Sequence, residues 1–100
     1  MNREIKWTKT ARQTYLEILL SIQERWGDDM AIKLNDRLEK VLPSIQDMPF
    51  MFPAVSENTT VRRCVLTKQT SLFYQVFEDS IHLLTFFDNR QNPDRLTLPQ

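Results

Sequence analysis

Residues 61–87 read VRRCVLTKQTSLFYQVFEDSIHLLTFF, and this stretch decides the fold class. Three of its segments are rich in branched and aromatic residues, which favour β-strands: Val61–Leu66, Leu72–Phe77 and Ile81–Phe87. Polar residues separate these segments at positions 67–71 and 78–80. The pattern therefore predicts a three-stranded antiparallel meander.

Before the meander, the sequence predicts two helices. Apolar residues recur at helical spacing in two stripes: Ala11, Tyr15, Ile18, Ile22 and Trp26, and then Ala31, Leu34, Leu38, Val41 and Ile45. Gly27, the one glycine of the chain, lies between the stripes, where a helix end favours a positive φ. Asp28 and Asp29 follow, and we expect them to supply an N-cap and negative charge for the second helix. The two stripes predict an antiparallel helical hairpin.

Two further segments are predicted from local signals. Residues 4–8 alternate charged and apolar side chains, which predicts a short first strand, and Thr8 or Thr10 is expected to cap the first helix. Pro43 lacks a backbone donor and crowds the preceding turn, so we expect a kink or a helix end near Leu42. The segment Met48–Thr60 has no clear period and predicts a loop.

The order strand, helix, helix and then three strands predicts an α+β architecture in which the helical hairpin covers one face of an antiparallel sheet. The first strand is expected to join the edge of that sheet. A chain of 100 residues with 41% hydrophobic content can enclose one core, so we expect a single domain over residues 1–100. The uncovered face of the sheet is then left for function.

Composition excludes several classes of protein. The apolar runs are only a few residues long and the N-terminus, Met1–Trp7, is charged, so we expect neither a membrane span nor a secretory signal, and we expect a cytoplasmic location. One cysteine, Cys64, and one histidine, His82, cannot form a disulfide or a Cys/His zinc site, and no metal or other cofactor is expected. Thirteen basic and thirteen acidic residues cancel, which disfavours general nucleic-acid binding unless the charges are spatially sorted.

Two motifs, together with the length and the element order, carry a resemblance to a known superfamily. The middle strand contains Leu72-Phe73-Tyr74-Gln75-Val76, and the last strand ends in Phe87-Asp88-Asn89-Arg90-Gln91-Asn92-Pro93. The second motif is the more specific. Over nearly its whole length, the chain resembles the RelE/ParE superfamily of toxins from bacterial type II toxin–antitoxin systems.

The resemblance implies one of two chemistries. RelE-like members cleave messenger RNA in the ribosome, whereas ParE-like members poison DNA gyrase and have no established hydrolytic site. Both kinds are neutralised by an antitoxin encoded beside them. The expected partners are therefore a cognate antitoxin, in a toxin–antitoxin hetero-oligomer, and either gyrase or ribosome-bound mRNA.

The candidate catalytic residues are Arg90, Arg62 and His82. Against the RelE-like pattern, the resemblance places Arg62 at a basic position of the first meander strand and Arg90 at the arginine after the last strand. Cys64 and Ser71 stand where that pattern has further basic residues, and no tyrosine follows Arg90. The RNase set is thus incomplete.

Each candidate also has a structural interpretation. Arg90 could instead pair with Asp88 or Asp94 and stiffen the terminal loop. His82 could act as a general base, because a histidine side chain can take up and release a proton near neutral pH, but no carboxylate partner is evident in the sequence. Tyr74 is expected to pack in the core, and Cys64 is expected to be a small buried residue.

A partner-binding surface is predicted around the apolar loop and the uncovered sheet face. Its residues are Phe50, Phe52, Arg63, Lys68 and Phe73. Adjacent strand residues point to opposite faces, so of Arg62 and Arg63 at least one should be exposed. Lys68 lies in a predicted turn, where solvated charge is the norm. Three functions stay open: a gyrase inhibitor, a ribosome-dependent mRNA endoribonuclease, and an interaction domain without toxicity.

Overall fold

The computed structural model describes residues 3–55 and 57–98, apart from the side chains of Asn58 and Thr59. The strands are β1 (Glu4–Trp7), β2 (Ala54–Val55), β3 (Asn58–Thr67), β4 (Thr70–Val76) and β5 (Ser80–Asp88). The α-helices are α1 (Lys9–Trp26) and α2 (Asp28–Asp47), and a short 3₁₀ helix spans Pro93–Arg95. None of the helices in the described ranges is long and apolar enough to cross a membrane.

The strands form one sheet in the order β1-β5-β4-β3-β2. Strands β3, β4 and β5 make the predicted antiparallel meander, and β1 joins the edge as predicted, where it runs parallel to β5 with Ile5 opposite Ile81. The predicted loop between residues 48 and 60 is partly wrong, because β2 lies within it and β3 begins at Asn58. A two-residue strand is too short to produce a recognisable alternation of side chains.

The helical hairpin packs on one face of the sheet, and the core lies between the two layers. The sheet strands contribute the core residues Cys64, Leu66, Leu72, Tyr74, Val76, Ile81, Leu83 and Phe86, and the helices contribute Ala11, Ile22, Leu34, Leu38, Val41 and Ile45. Because side chains alternate along a strand, the residues between these core positions lie on the opposite face. We call that face the open face; Arg63, Phe73 and His82 lie on it.

The turn between the helices uses the single glycine. Gly27 has a φ of +92°, and its N–H donates to the carbonyl of Gln23 at 2.9 Å, which ends α1. The predicted aspartate N-cap is wrong, since Gly27 itself is the N-cap residue of α2 and makes no side-chain cap. Asp28 and Asp29 lie in the first turn, where their charge still favours the helix.

Two predictions about the helices need correction. Of the kink or helix end expected near Leu42, the helix end is wrong: α2 continues through Pro43 to Asp47. Pro43 and Glu39 are exposed, so the carbonyl that loses its partner lies toward water, while Val41 and Ile45 keep the helix on the core. Trp26, the last residue of the α1 stripe, is 45% exposed and lies outside the core.

Helix α1 covers part of the β5 edge that β1 leaves unpaired. Beyond Leu83, β5 has no neighbouring strand on the β1 side among the described residues. Thr14 compensates, because its hydroxyl accepts from the Phe86 N–H at 2.9 Å and donates to the Thr10 carbonyl at 2.8 Å. The Thr8 hydroxyl lies 2.7 Å from the Leu83 carbonyl oxygen and caps α1 by accepting from the Ala11 N–H at 3.0 Å.

Replacement of Thr14 should show how much its hydrogen bond with the Phe86 N–H contributes to the free energy of unfolding. Thr14→Val keeps the shape but leaves the Phe86 N–H without its partner, so the free energy of unfolding should fall by about 1–3 kcal/mol. Thr14→Ser retains the hydroxyl and should lose much less. Urea denaturation followed by circular dichroism measures both, and equal stabilities of the two variants would contradict a role for the hydroxyl.

Candidate functional site

The open face of the sheet carries a groove between β2 and the C-terminal segment. The groove consists of two adjoining cavities of about 600 Å³ and about 100 Å³ that share Arg63, Phe73 and Leu96. The larger cavity is otherwise lined by Phe52, Pro53, Ala54, Val55 and Val65, and the smaller one by Phe87, Asn89, Gln91 and Pro93. The described lining of the groove is therefore mostly apolar and contains one charged side chain.

Arg63 is held in the groove by neutral groups. Its Nε donates to the Ser71 hydroxyl at 3.1 Å, and its Nη2 donates to the Asn89 side-chain oxygen at 3.2 Å. The Ser71 hydroxyl donates to the same Asn89 oxygen at 2.8 Å, and the guanidinium carbon lies 5.8 Å from the Phe73 ring centroid. These contacts orient the guanidinium without neutralising its charge.

Arg62 lies on the other face of the sheet and holds the apolar loop, which we define as residues 48–53. Its Nη1 donates to the carbonyls of Phe50 at 3.1 Å and Phe52 at 3.0 Å, and its guanidinium carbon lies 4.9 Å from the Phe50 ring centroid. The Tyr74 hydroxyl donates to the Pro49 carbonyl at 2.7 Å, and burial raises the pKa of Tyr74. Arg62 and Tyr74 thus fix the backbone of the loop.

Arg90 takes part in the contact with Asp88 that the sequence left open. Its Nη2 lies 2.6 Å from Asp88 Oδ2 and its Nε donates to Asp88 Oδ1 at 2.9 Å, a bidentate ion pair. Its guanidinium carbon lies 4.8 Å from the centroid of the Trp26 ring, at the end of α1. Hydrogen bonding from the Arg90 side chain lowers the pKa of Asp88, against a partial opposing effect of burial.

His82 lies on the open face near the β1 edge, half-buried, opposite Lys6 in the strand register. Its Nε2 is 3.3 Å from the Ser80 hydroxyl, and its ring centroid is 4.4 Å from that of Phe77. No carboxylate hydrogen-bonds to the imidazole within the described part of the chain. The ring therefore lacks the acidic group that orients many catalytic histidines.

Cys64 is fully buried on the helix-facing side of β3. Burial raises the pKa of its thiol to about 11, although the nearby Arg37 partly offsets the effect. The thiol is therefore protonated at neutral pH and is not a nucleophile. Across residues 3–55 and 57–98, no group of three or more His, Cys, Asp or Glu side chains is placed to hold a metal ion.

The structure brings together some of the predicted residues and separates others. Of the predicted partner-binding residues, Phe52, Arg63 and Phe73 line one groove. Phe50 is half exposed beside Arg62, and Lys68 is exposed in the β3–β4 turn. The candidate catalytic residues do not converge: Arg62 and His82 lie on opposite faces of the sheet, and Arg90 lies against Trp26.

Several residues in and beside the groove were missed from sequence. Ser71 and Asn89 orient Arg63, and Leu96 contributes to both cavities. Asn89 belongs to the motif after the last strand, but its partner lies 26 positions away. Leu96 carried a usable signal, because it is an apolar residue that follows a polar, proline-containing tail.

The strand–helix–helix–meander order, with the helical hairpin on one sheet face, defines an α+β toxin fold that solved structures share. The chain is similar to a chromosomal ParDE toxin–antitoxin system from P. aeruginosa, with 25% identity and a TM-score of 0.70 over 86% of this chain and 95% of that one. It also resembles the YoeB dimer from Staphylococcus aureus, at 15% identity and a TM-score of 0.61 over 85% of this chain and 94% of the other.

A third similar structure is the E. coli DinJ–YafQ toxin–antitoxin complex, at 10% identity and a TM-score of 0.62, with 90% of this chain and 96% of that chain covered. A comparison with curated protein sequences finds no significant match. The sequence profile described as "ParE toxin of type II toxin-antitoxin system, parDE" matches residues 5–93. The chain belongs to this ParE toxin family, within the RelE/ParE superfamily that the motifs predicted.

The Asp88–Arg90 pair gives a pH-dependent prediction. The pKa of Asp88 is lowered by folding, so the pair stabilises the protein above the unfolded-state pKa of ~3.9 and its contribution is lost as the pH falls below that value. Asp88→Asn should reduce stability at pH 7 by about 1 kcal/mol or less, since the pair is partly solvated. The difference should shrink as the pH falls toward the lowered pKa of folded Asp88.

Urea denaturation of both proteins between pH 7 and pH 3 tests this. Asn keeps an oxygen that can accept from the Arg90 N–H, so the substitution isolates the charge. A stability difference that stays constant over the whole pH range would show that the loss comes from packing instead.

Proposed function

We propose that this chain is a growth-arresting toxin that acts on DNA gyrase, and that an antitoxin encoded beside it neutralises it. The observation that carries the choice of gyrase over mRNA is the separation of Arg62, His82 and Arg90. Cleavage of RNA needs a base for the 2′-hydroxyl, a cation at the phosphate and an acid for the leaving oxygen, all around one phosphate.

These residues do not meet that requirement. Arg62 faces the helices and binds the carbonyls of the apolar loop, whereas His82 lies on the open face at the far edge of the meander. The Arg90 guanidinium forms an ion pair with Asp88. A toxin that binds its target without hydrolysing it needs no such cluster, and membership of the ParE toxin family favours this kind of action.

The antitoxin partner is supported by two observations. Similar structures come from toxin–antitoxin systems, among them ParDE of P. aeruginosa. The apolar loop also leaves large side chains in water: Met48, Phe50 and Met51 are each about half exposed. Clustered exposed apolar side chains often mark partner sites, and an antitoxin segment that folds on binding can cover them. We expect this complex to form in the cytoplasm.

Induction of the gene without its neighbour tests the target. We expect growth arrest with DNA damage and intact transcripts, and the purified chain should inhibit supercoiling by gyrase in vitro. His82→Gln should arrest growth as strongly as the parent protein, because no proton transfer is required.

Two results would contradict the proposal in different ways. Shortened transcripts in arrested cells, together with a folded but inactive His82→Gln protein, would favour the endoribonuclease. No arrest at all, with the protein folded and expressed, would favour an interaction domain without toxicity.

We further propose that the Arg90 guanidinium contacts the target. It lies after the last strand and is about one-third exposed, so its removal should cost little stability. Arg90→Ala should relieve growth arrest, with colony counts rising by at least ~10-fold, since truncating a charged contact at an interface is costly. Arg90→Lys should also be defective, because an ammonium cannot copy the planar fork of donors.

Asp88→Asn is the matched control for this experiment. It breaks the same ion pair but leaves the guanidinium in place. Arrest by Asp88→Asn and its loss in a folded Arg90→Ala protein would support a target contact. Equal loss of arrest in both variants would assign Arg90 to holding the terminal segment, and undiminished arrest by Arg90→Ala would remove it from the site.

A further inference from the structure

Arg63 is unusual among the groove residues because it is a cation in apolar surroundings. Within residues 3–55 and 57–98, it is the single charged residue in the lining of both cavities, and the rest of the larger cavity is formed by aliphatic, aromatic and proline residues. Val65, beside it on β3, is 50% exposed. No carboxylate forms an ion pair with Arg63 among the residues that the structure describes.

The Arg63 guanidinium has more N–H donors than its contacts with Ser71 and Asn89 use. Of its five N–H groups, one is used by Ser71 and one by Asn89. Both contacts are neutral, and both lie on the β4 and β5 side, so they hold the side chain in one orientation over Phe73. A guanidinium that is oriented in advance and not neutralised is suited to bind a carboxylate or a phosphate with two parallel hydrogen bonds.

The lining favours a carboxylate on a peptide over a nucleic-acid phosphate. Binding along a phosphate backbone depends on several cations, whereas the residues described in this groove include one. Phe52, Val55, Val65 and Leu96 offer instead an apolar surface that can accept side chains flanking the carboxylate. The Pro53 side of the groove is also held to the sheet, because the backbone N–H of Arg63 donates to the Pro53 carbonyl at 3.0 Å.

We propose that this groove binds a segment of the antitoxin in which an Asp or Glu pairs with Arg63 and neighbouring apolar side chains fill the larger cavity. The inference rests on the proposed function, because it takes its partner from it. Binding buries Val65, adds an ion pair to the neutral contacts of Arg63, and places the antitoxin across the open face rather than on the helical hairpin.

The test uses the full chain and the protein encoded by the neighbouring gene. Arg63→Glu should weaken the complex at least ~10-fold in isothermal titration calorimetry, since it places two carboxylates together. Arg12→Glu is the matched control: it makes the same charge change at an exposed position on α1, and affinity should be unchanged. Changing one antitoxin carboxylate at a time to lysine should identify the residue that restores binding to Arg63→Glu.

Two measurements guard against misfolding of the variant. Arg63→Met keeps most of the aliphatic stem and should show the same direction of effect. In the unmodified chain, NMR signals of Val65, Phe73 and Leu96 should shift when the antitoxin is added, while those of Leu16 on the outer face of α1 should not.

The outcomes separate the groove from the proposed function. Tight binding by Arg63→Glu, or unshifted groove signals in a formed complex, would overturn the groove and leave the toxin assignment intact. If the unmodified chain does not bind the neighbouring protein at all, the antitoxin assignment fails and the groove proposal fails with it.

Discussion

The pairing of β1 with β5 is the constraint on which the rest of the structure depends. It joins residues that are about 75 positions apart, and Thr8 sits where the two strands meet α1. The Thr8 hydroxyl lies within hydrogen-bonding distance of the Leu83 carbonyl while it accepts from the Ala11 N–H in the first turn of the helix. One side chain therefore sets where β1 stops, where α1 starts and where both lie on β5. Trp7, stacked 5.5 Å from Phe86, buries the same junction.

A short β1 determines how α1 must lie. Because β1 covers only the first residues of β5, backbone groups further along would face solvent or a foreign strand. Helix α1 runs across that region and Thr14 satisfies the Phe86 N–H. The Thr14 side chain thus supplies the hydrogen bond that a further edge strand would otherwise provide. This contact keeps the helical hairpin on one face of the sheet. The opposite face is left for the groove.

The elements with strong periodicity were predictable from sequence, and the contacts between distant residues were not. The stripes through Leu34 and Ile45 and the branched residues of the meander gave the helices and strands close to their observed positions. Local rules failed where tertiary packing decided: α2 passes through Pro43 because its buried face holds it in place. For the site, composition and motifs pointed to Arg63 and Phe73, but the support from Asn89 depends on a turn whose geometry no local pattern encodes.

The adjacent arginines Arg62 and Arg63 show how one strand serves both faces. A strand sends neighbouring side chains to opposite sides, so the same dipeptide places one guanidinium toward the helices and one on the open face. Arg62 binds the carbonyls of Phe50 and Phe52, and the segment that it fixes leads directly into Pro53 and β2, which form one wall of the groove. The Arg63 side chain lines the groove beside that wall. Loss of Arg62 would release the apolar loop and so disturb the wall of the groove indirectly. Loss of Arg63 would remove the guanidinium proposed to bind the antitoxin carboxylate and leave the wall in place. Loss of Arg62 should therefore lower both the stability of the chain and its affinity for the proposed antitoxin segment. Loss of Arg63 should lower only the affinity for that segment.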